Sequence, residues 1–214
     1  MNGRDAVRSA VKAAMFAVST VLIAVPLVSF RLRSLIIGRD RALEGSTQML
    51  ASMPGLLGDY LRRAFLHWTI AHCDRTASIG YGTLLSKTGA SIGAHVVIGP
   101  RCHLGWVRID EGVLIGPGSH VLSGSRTHGS SDPRVAIRDQ PDDFREVHIG
   151  AGAWIGSSAV VMADVGAGSI VAAGSVVAEQ VPPGVVVGGV PARILTRRQG
   201  VDVPPLIGTN GALA

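Results

Sequence analysis

The sequence predicts a mainly β fold: a parallel β-solenoid of stacked, three-faced coils carried behind a helical N-terminal extension. Three observations lead there. An aliphatic residue returns every six positions through Ile149, Ile155 and Val161 and, after one shortened unit, through Val165, Val171 and Val177. An earlier series runs Ile79, Leu85, Ile92, Ile98, Leu104, Ile109, Ile115 and Val121, with one interval of seven and one of five. The composition agrees, with 28 Gly in 214 residues and only 4% aromatics, which suits a narrow core of small aliphatics. A period of six matches neither a helix nor a single alternating strand. It matches a coil whose short strands end in tight bends, each corner pointing one aliphatic inward. One coil cannot bury its apolar face alone, but a stack can.

The chain divides into four segments. Residues 1–37 begin with Arg4, Arg8 and Lys12, and Ala13 to Phe30 then runs eighteen residues without a charge before Arg31 and Arg33. That length lies at the lower end of what crosses a bilayer. Arginines directly after the apolar run disfavour a cleaved signal peptide. Two readings stay open: a spanning helix, or a helix or hairpin bent at Pro26 in one leaflet. Either attaches the protein to the membrane. Residues 38–75 form a helical cap in two pieces, broken at Pro54-Gly55. In the second piece Leu57, Leu61, Ala64, Phe65 and Trp68 share one face, and Arg62 and Arg63 lie on another. Such a helix covers the open end of a solenoid. Residues 76–195 carry the coils, interrupted by a polar loop at 129–147 with two Pro and four Asp. A long loop inside a compact array is a functional element. Residues 196–214 read as a tail.

The net charge of +5 is dispersed and no aromatic-basic motif accompanies it, so a nucleic-acid partner is not expected. Cys73 and Cys102 lack CxxC spacing and read as reduced thiols.

The stretch from Ile149 to Leu195, with GAWIGSSAVV, AAGSVV and the closing GGVPARIL, resembles the hexapeptide-repeat acyltransferases. Within them it is similar to the sugar and polysaccharide O-acetyltransferase branch related to maltose, galactoside and nodulation-factor acetyltransferases. The resemblance covers roughly 76–195. It implies a left-handed parallel β-helix, a homotrimer, acetyl-CoA as donor and a sugar or glycan hydroxyl as acceptor. It implies no resident metal. With the N-terminal segment it points to work at the cytoplasmic face of the cell membrane.

Acyl transfer from a thioester needs a base, an oxyanion donor and a grip on the coenzyme. His128, in RTHG at the mouth of the polar loop, is the candidate base, since a neutral imidazole moves protons near pH 7. His120 is its rival, although it falls in a regular six-residue unit. Asp110 and Glu111 are candidates to orient an imidazole. The resemblance assigns the oxyanion donor to the backbone N–H of Ser157, a coenzyme contact to the backbone of Ala173, and a phosphate contact to Arg193. It places Trp154 near the acceptor; the plainer reading is a space-filling residue on the outer wall. Where many relatives carry Thr and Lys, this chain has Ala178 and Glu179. Arg134, Arg138 and Arg145 either hold an acidic acceptor or balance nearby aspartates.

Two other classes compete. A metal-dependent, carbonic-anhydrase-like solenoid needs three converging imidazoles; His95, His103, His120 and His148 are available, but without that branch's paired spacing. A non-catalytic, membrane-tethered scaffold needs neither the RTHG loop nor the closing PAR.

Overall fold

The computed structural model describes residues 14–129 and 131–198. Residues 1–13 of the expected membrane segment, and 199–214 of the expected tail, lie outside the described residues. Four helices come first: α1 (Ala14–Leu22), α2 (Ala24–Ile37), α3 (Arg39–Ala51) and α4 (Gly55–Thr69). α1 and α2 meet at 51°. The break falls at Ile23, not at Pro26, which sits in the first turn of α2, where a missing N–H costs no helical bond. No single described helix is long and apolar enough to cross a membrane.

The coils wind over three faces. The first face stacks β1 (His72–Cys73), β4 (Ser91–Ile92), β7 (Val107–Ile109) and β10 (Val147–Ile149), and single bridges carry it on to Val165 and Val181. The second stacks β2 (Ser78–Ile79), β5 (Val97–Ile98), β8 (Leu114–Ile115), β11 (Trp154–Ile155), β13 (Ile170–Val171) and β15 (Val185–Gly189). The third stacks β3 (Leu84–Leu85), β6 (His103–Leu104), β9 (His120–Val121), β12 (Val160–Val161) and β14 (Val176–Val177). These neighbours pair in parallel. The last strand, β16 (Ala192–Arg197), turns back antiparallel on β15 and so runs two residues past the boundary drawn at 195.

The aliphatic series is the core. Every member from Ile79 to Val177 named above is buried. A second column sits two residues before each corner, at Ala77, Ala90, Val96, Cys102, Val113, Ala153 and Ala159, also buried. Small side chains there let the coils stay narrow. Cys73 occupies the inward place of the first corner, six residues before Ile79, so the stack begins at His72 rather than at 76. Its thiol is pushed up to about 12, chiefly by burial, and is inert at neutral pH.

The first coil has no coil before it, so its outward backbone groups need other partners. The cap supplies them. Arg62 donates from Nε to the Ile79 carbonyl at 2.8 Å and from Nη1 to Met53 at 2.7 Å and Leu50 at 3.3 Å. Arg63 Nη1 donates to the Ala77 carbonyl at 2.8 Å. Asp59 accepts the Ile79 N–H at 2.6 Å, Thr47 donates to the Leu85 carbonyl at 3.1 Å, and Asp40 accepts the Thr88 N–H at 2.9 Å. Arg62 and Arg63 are therefore buried against the stack, where helical spacing alone put them on a separate polar face. They stand where the next strand would have stood.

Candidate active site

The polar loop leaves after β9, at the edge between the third and first faces, and returns into β10. It is organised around Gln140, which is 9% exposed. Its amide donates to the carbonyls of Asp132 and Val135, both at 2.9 Å, and its Oε1 accepts the Asp132 N–H. Arg134 pairs with Asp132 at 3.0 Å, Arg138 with Asp139 at 3.6 Å, and Arg145 with Asp164 at 2.9 Å. Each arginine thus balances an aspartate.

His128 sits at the loop mouth with Nδ1 3.0 Å from Asp142 Oδ1. An ionised carboxylate only accepts, so Nδ1 carries a proton in this contact, and in the neutral ring Nε2 keeps its lone pair. The orienting partner is Asp142, from the loop itself. Asp110 pairs instead with His148, at 2.7 Å from Nε2. His128 lines a groove of ≈ 440 Å³ with Lys87, His103, Thr127, Phe144 and, from α3, Arg41 and Glu44. Lys87 lies 3.6 Å over the Phe144 ring and 3.4 Å from Asp40. Burial by itself would raise the Asp40 carboxyl, but bonds from Thr88 and the charge of Lys87 outweigh it and hold the group below the usual carboxylate value. His103 is pushed below the usual histidine value, first by burial and then by His120, whose ring is 6.1 Å away. His120 stands on the regular third face in β9, as its place in the repeat predicts.

The other candidates lie elsewhere on the prism. Ser157 and Ala173 follow β11 and β13 at the edge between the second and third faces, in successive coils. Gly156 makes that stacking possible: a Cβ there would come within 2.5 Å of the Ala173 nitrogen, and one on Gly116 within 2.5 Å of the Ser157 nitrogen. Among the described residues, neither amide donates to a backbone carbonyl. Trp154 projects from the second face, 51% exposed, in register with Leu114 and Ile170. Val97, Leu114 and Trp154 form an exposed apolar row across three adjacent coils. Arg193 is exposed on β16, with Nη1 3.8 Å from Glu179 Oε1. The groove that His128 lines contains none of Ser157, Ala173, Trp154 or Arg193. Within one chain the site residues form two groups on different edges. Among the described residues, no three His, Cys, Asp or Glu side chains converge as a metal cluster.

The bacterial transferase hexapeptide (six repeats) family model matches residues 89–123, which span β4 to β9. No curated protein matches the sequence. Among solved structures, a hexapeptide-repeat-containing acetyltransferase from Vibrio cholerae O1 biovar eltor, complexed with acetyl coenzyme A, is 25% identical, with a TM-score of 0.58 over 78% of this chain and 92% of that one. A galactoside acetyltransferase in complex with coenzyme A is 22% identical, with a TM-score of 0.63 over 74% of this chain and 80% of its own. A maltose O-acetyltransferase from Clostridium difficile 630 is 16% identical, with a TM-score of 0.62 over 75% and 88%. The last two likenesses are of fold. The hexapeptide-repeat model thus matches two coils of this chain, and all three structures are similar to it in their solenoid fold.

Proposed function

We propose that the protein is an acetyl-CoA-dependent O-acetyltransferase acting on a hydroxyl of a sugar or surface-polysaccharide precursor at the cytoplasmic face of the membrane. The observation that carries this reading is the His128–Asp142 pair at the mouth of a groove with room for a sugar ring. The coenzyme-bound neighbours supply the donor class.

His128 Nε2 takes the proton from the acceptor hydroxyl as its oxygen attacks the thioester carbonyl. Asp142 accepts from Nδ1 and stabilises the imidazolium that forms. The Ser157 N–H faces the developing oxyanion. As the carbon–sulfur bond breaks, His128 returns the proton to the departing thiolate. Ala173 offers its backbone to the pantetheine arm, and Arg193 offers its guanidinium to phosphate, with Glu179 as a competing anion.

His128 and Ser157 lie on different edges of one prism, so a complete site needs a second chain. The exposed row of Val97, Leu114 and Trp154 offers that neighbour an apolar surface, which supports the homotrimer that the resemblance implies. The test is thiol release from acetyl-CoA over a panel of sugars, nucleotide sugars and lipid-linked oligosaccharides. Acceptor-dependent release should fall about 10²- to 10⁴-fold in His128→Ala. Release that survives the substitution moves the base elsewhere. No release with any acceptor, together with no coenzyme binding by calorimetry, leaves the scaffold reading.

A further inference from the structure

α2 shows two unlike faces. Its inner face holds Ile23 at the break and Phe30, both buried, and Phe30 meets Phe65 of α4 edge-on at 5.9 Å. Arg33 reaches across to Ser46 of α3, donating from Nη2 at 2.6 Å. The outer face carries Val25, Val28, Leu32, Leu35 and Ile36, at helical spacings of three and four, all more than half exposed. Leu35 and Ile36 are 84% and 83% exposed. On α1, Val18, Val21 and Leu22 are likewise exposed.

Beside this stripe lies a groove of ≈ 470 Å³ lined by Phe30, Arg31, Leu32, Leu35, Arg39 and Trp68. Its lining joins Phe30, Leu32 and Leu35 to two arginines and a tryptophan. Arg31 and Arg39 have no ion-pair partner among the described residues. Apolar side chains flanked by arginine and tryptophan match the boundary between acyl chains and headgroups.

We infer that α1 and α2 lie in the plane of one leaflet of an anionic membrane, with the outer face of α2 among the acyl chains and a lipid phosphate between Arg31 and Arg39. This deepens the membrane attachment proposed above and rests on it. It also chooses between spanning and lying in the surface. A spanning α2 would have to leave Phe65 and Ser46 or drag the cap into hydrocarbon, and the cap is bound to the first coil through Arg62, Arg63 and Asp59. The helix therefore stays beside the cap and offers the lipid one face.

The experiment uses the full chain with phosphatidylcholine vesicles, with and without phosphatidylglycerol, read by flotation. Binding is expected to need the anionic lipid. Arg31→Ala and Arg39→Ala should each weaken it about fivefold, the loss of roughly one surface charge contact. Leu35→Asp should abolish it while thiol release in solution is retained. Depth is read with Asn2→Cys and a membrane-impermeant maleimide added outside bound vesicles. Labelling without detergent is the expected result. Binding with labelling only after detergent means a spanning helix: membrane attachment survives and the in-plane arrangement falls. Absence of flotation with either lipid removes both. Binding indifferent to lipid charge and to both arginines removes the phosphate contact. A lipid-free oligomer that Leu35→Asp dissociates assigns the stripe to a second copy and overturns the proposal.

Discussion

His128 leans on a carboxylate from its own loop, so the proposed base and its orienting group come from one segment. The carboxylate fixes which nitrogen is protonated and which way the ring points. Asp142→Ala should lower kcat roughly ten- to hundredfold, a part of what the base itself contributes, with the KM for acetyl-CoA unchanged. Asp142→Asn keeps an acceptor for Nδ1 without the charge and should fall between the wild type and alanine. Steady-state kinetics on the three proteins checks the order. Asp142 was not legible in the sequence. Four aspartates crowd the loop, and nothing in their spacing selects the one that meets the imidazole. Asp110 was legible as an orienting group but serves His148, because β7 and β10 are neighbours on the first face.

The elements were legible where periodicity is strict. Each six-residue aliphatic became an inward corner because stacked coils repeat one environment. Cys73 escaped the pattern because a thiol is not an obvious aliphatic, although it is small and apolar enough for the corner. Arg62 and Arg63 escaped it for a different reason. Helical spacing reports which residues share a face, and it cannot report that the facing surface is a row of backbone carbonyls. Arg62→Met keeps the apolar stem and removes the donors, leaving the Ile79, Leu50 and Met53 carbonyls without their shared partner. The expected loss is about 2–4 kcal/mol, measured by denaturant unfolding. An unchanged midpoint would mean that water or another side chain takes over those carbonyls.

At the scale of the whole molecule the proposed site is divided between two edges of the prism, so the proposed activity depends on assembly. Trp154→Glu places a charge in the exposed apolar row without touching His128 or its loop. Sedimentation should show the assembly falling to single chains, and thiol release should be lost with it. A variant that stays assembled and active would put the interface on another face. The sequence alone reaches the solenoid, the loop and the cap. It does not reach the separation of His128 from Ser157, which depends on the turns that carry the chain from one face to the next.

The stacking of coils on the cap also sets a height. The cap helices α3 and α4 are hydrogen-bonded to the first coil, and His128 follows the third. Adjacent strands in a sheet lie about 4.8 Å apart, so the base stands roughly 10 Å further from the helical base than the first coil does. Coil number works as a ruler: on the in-plane arrangement inferred above, an acceptor anchored in the bilayer would have to reach past the cap and the lower coils, and deleting one coil below the loop would bring His128 one strand spacing closer to the cap.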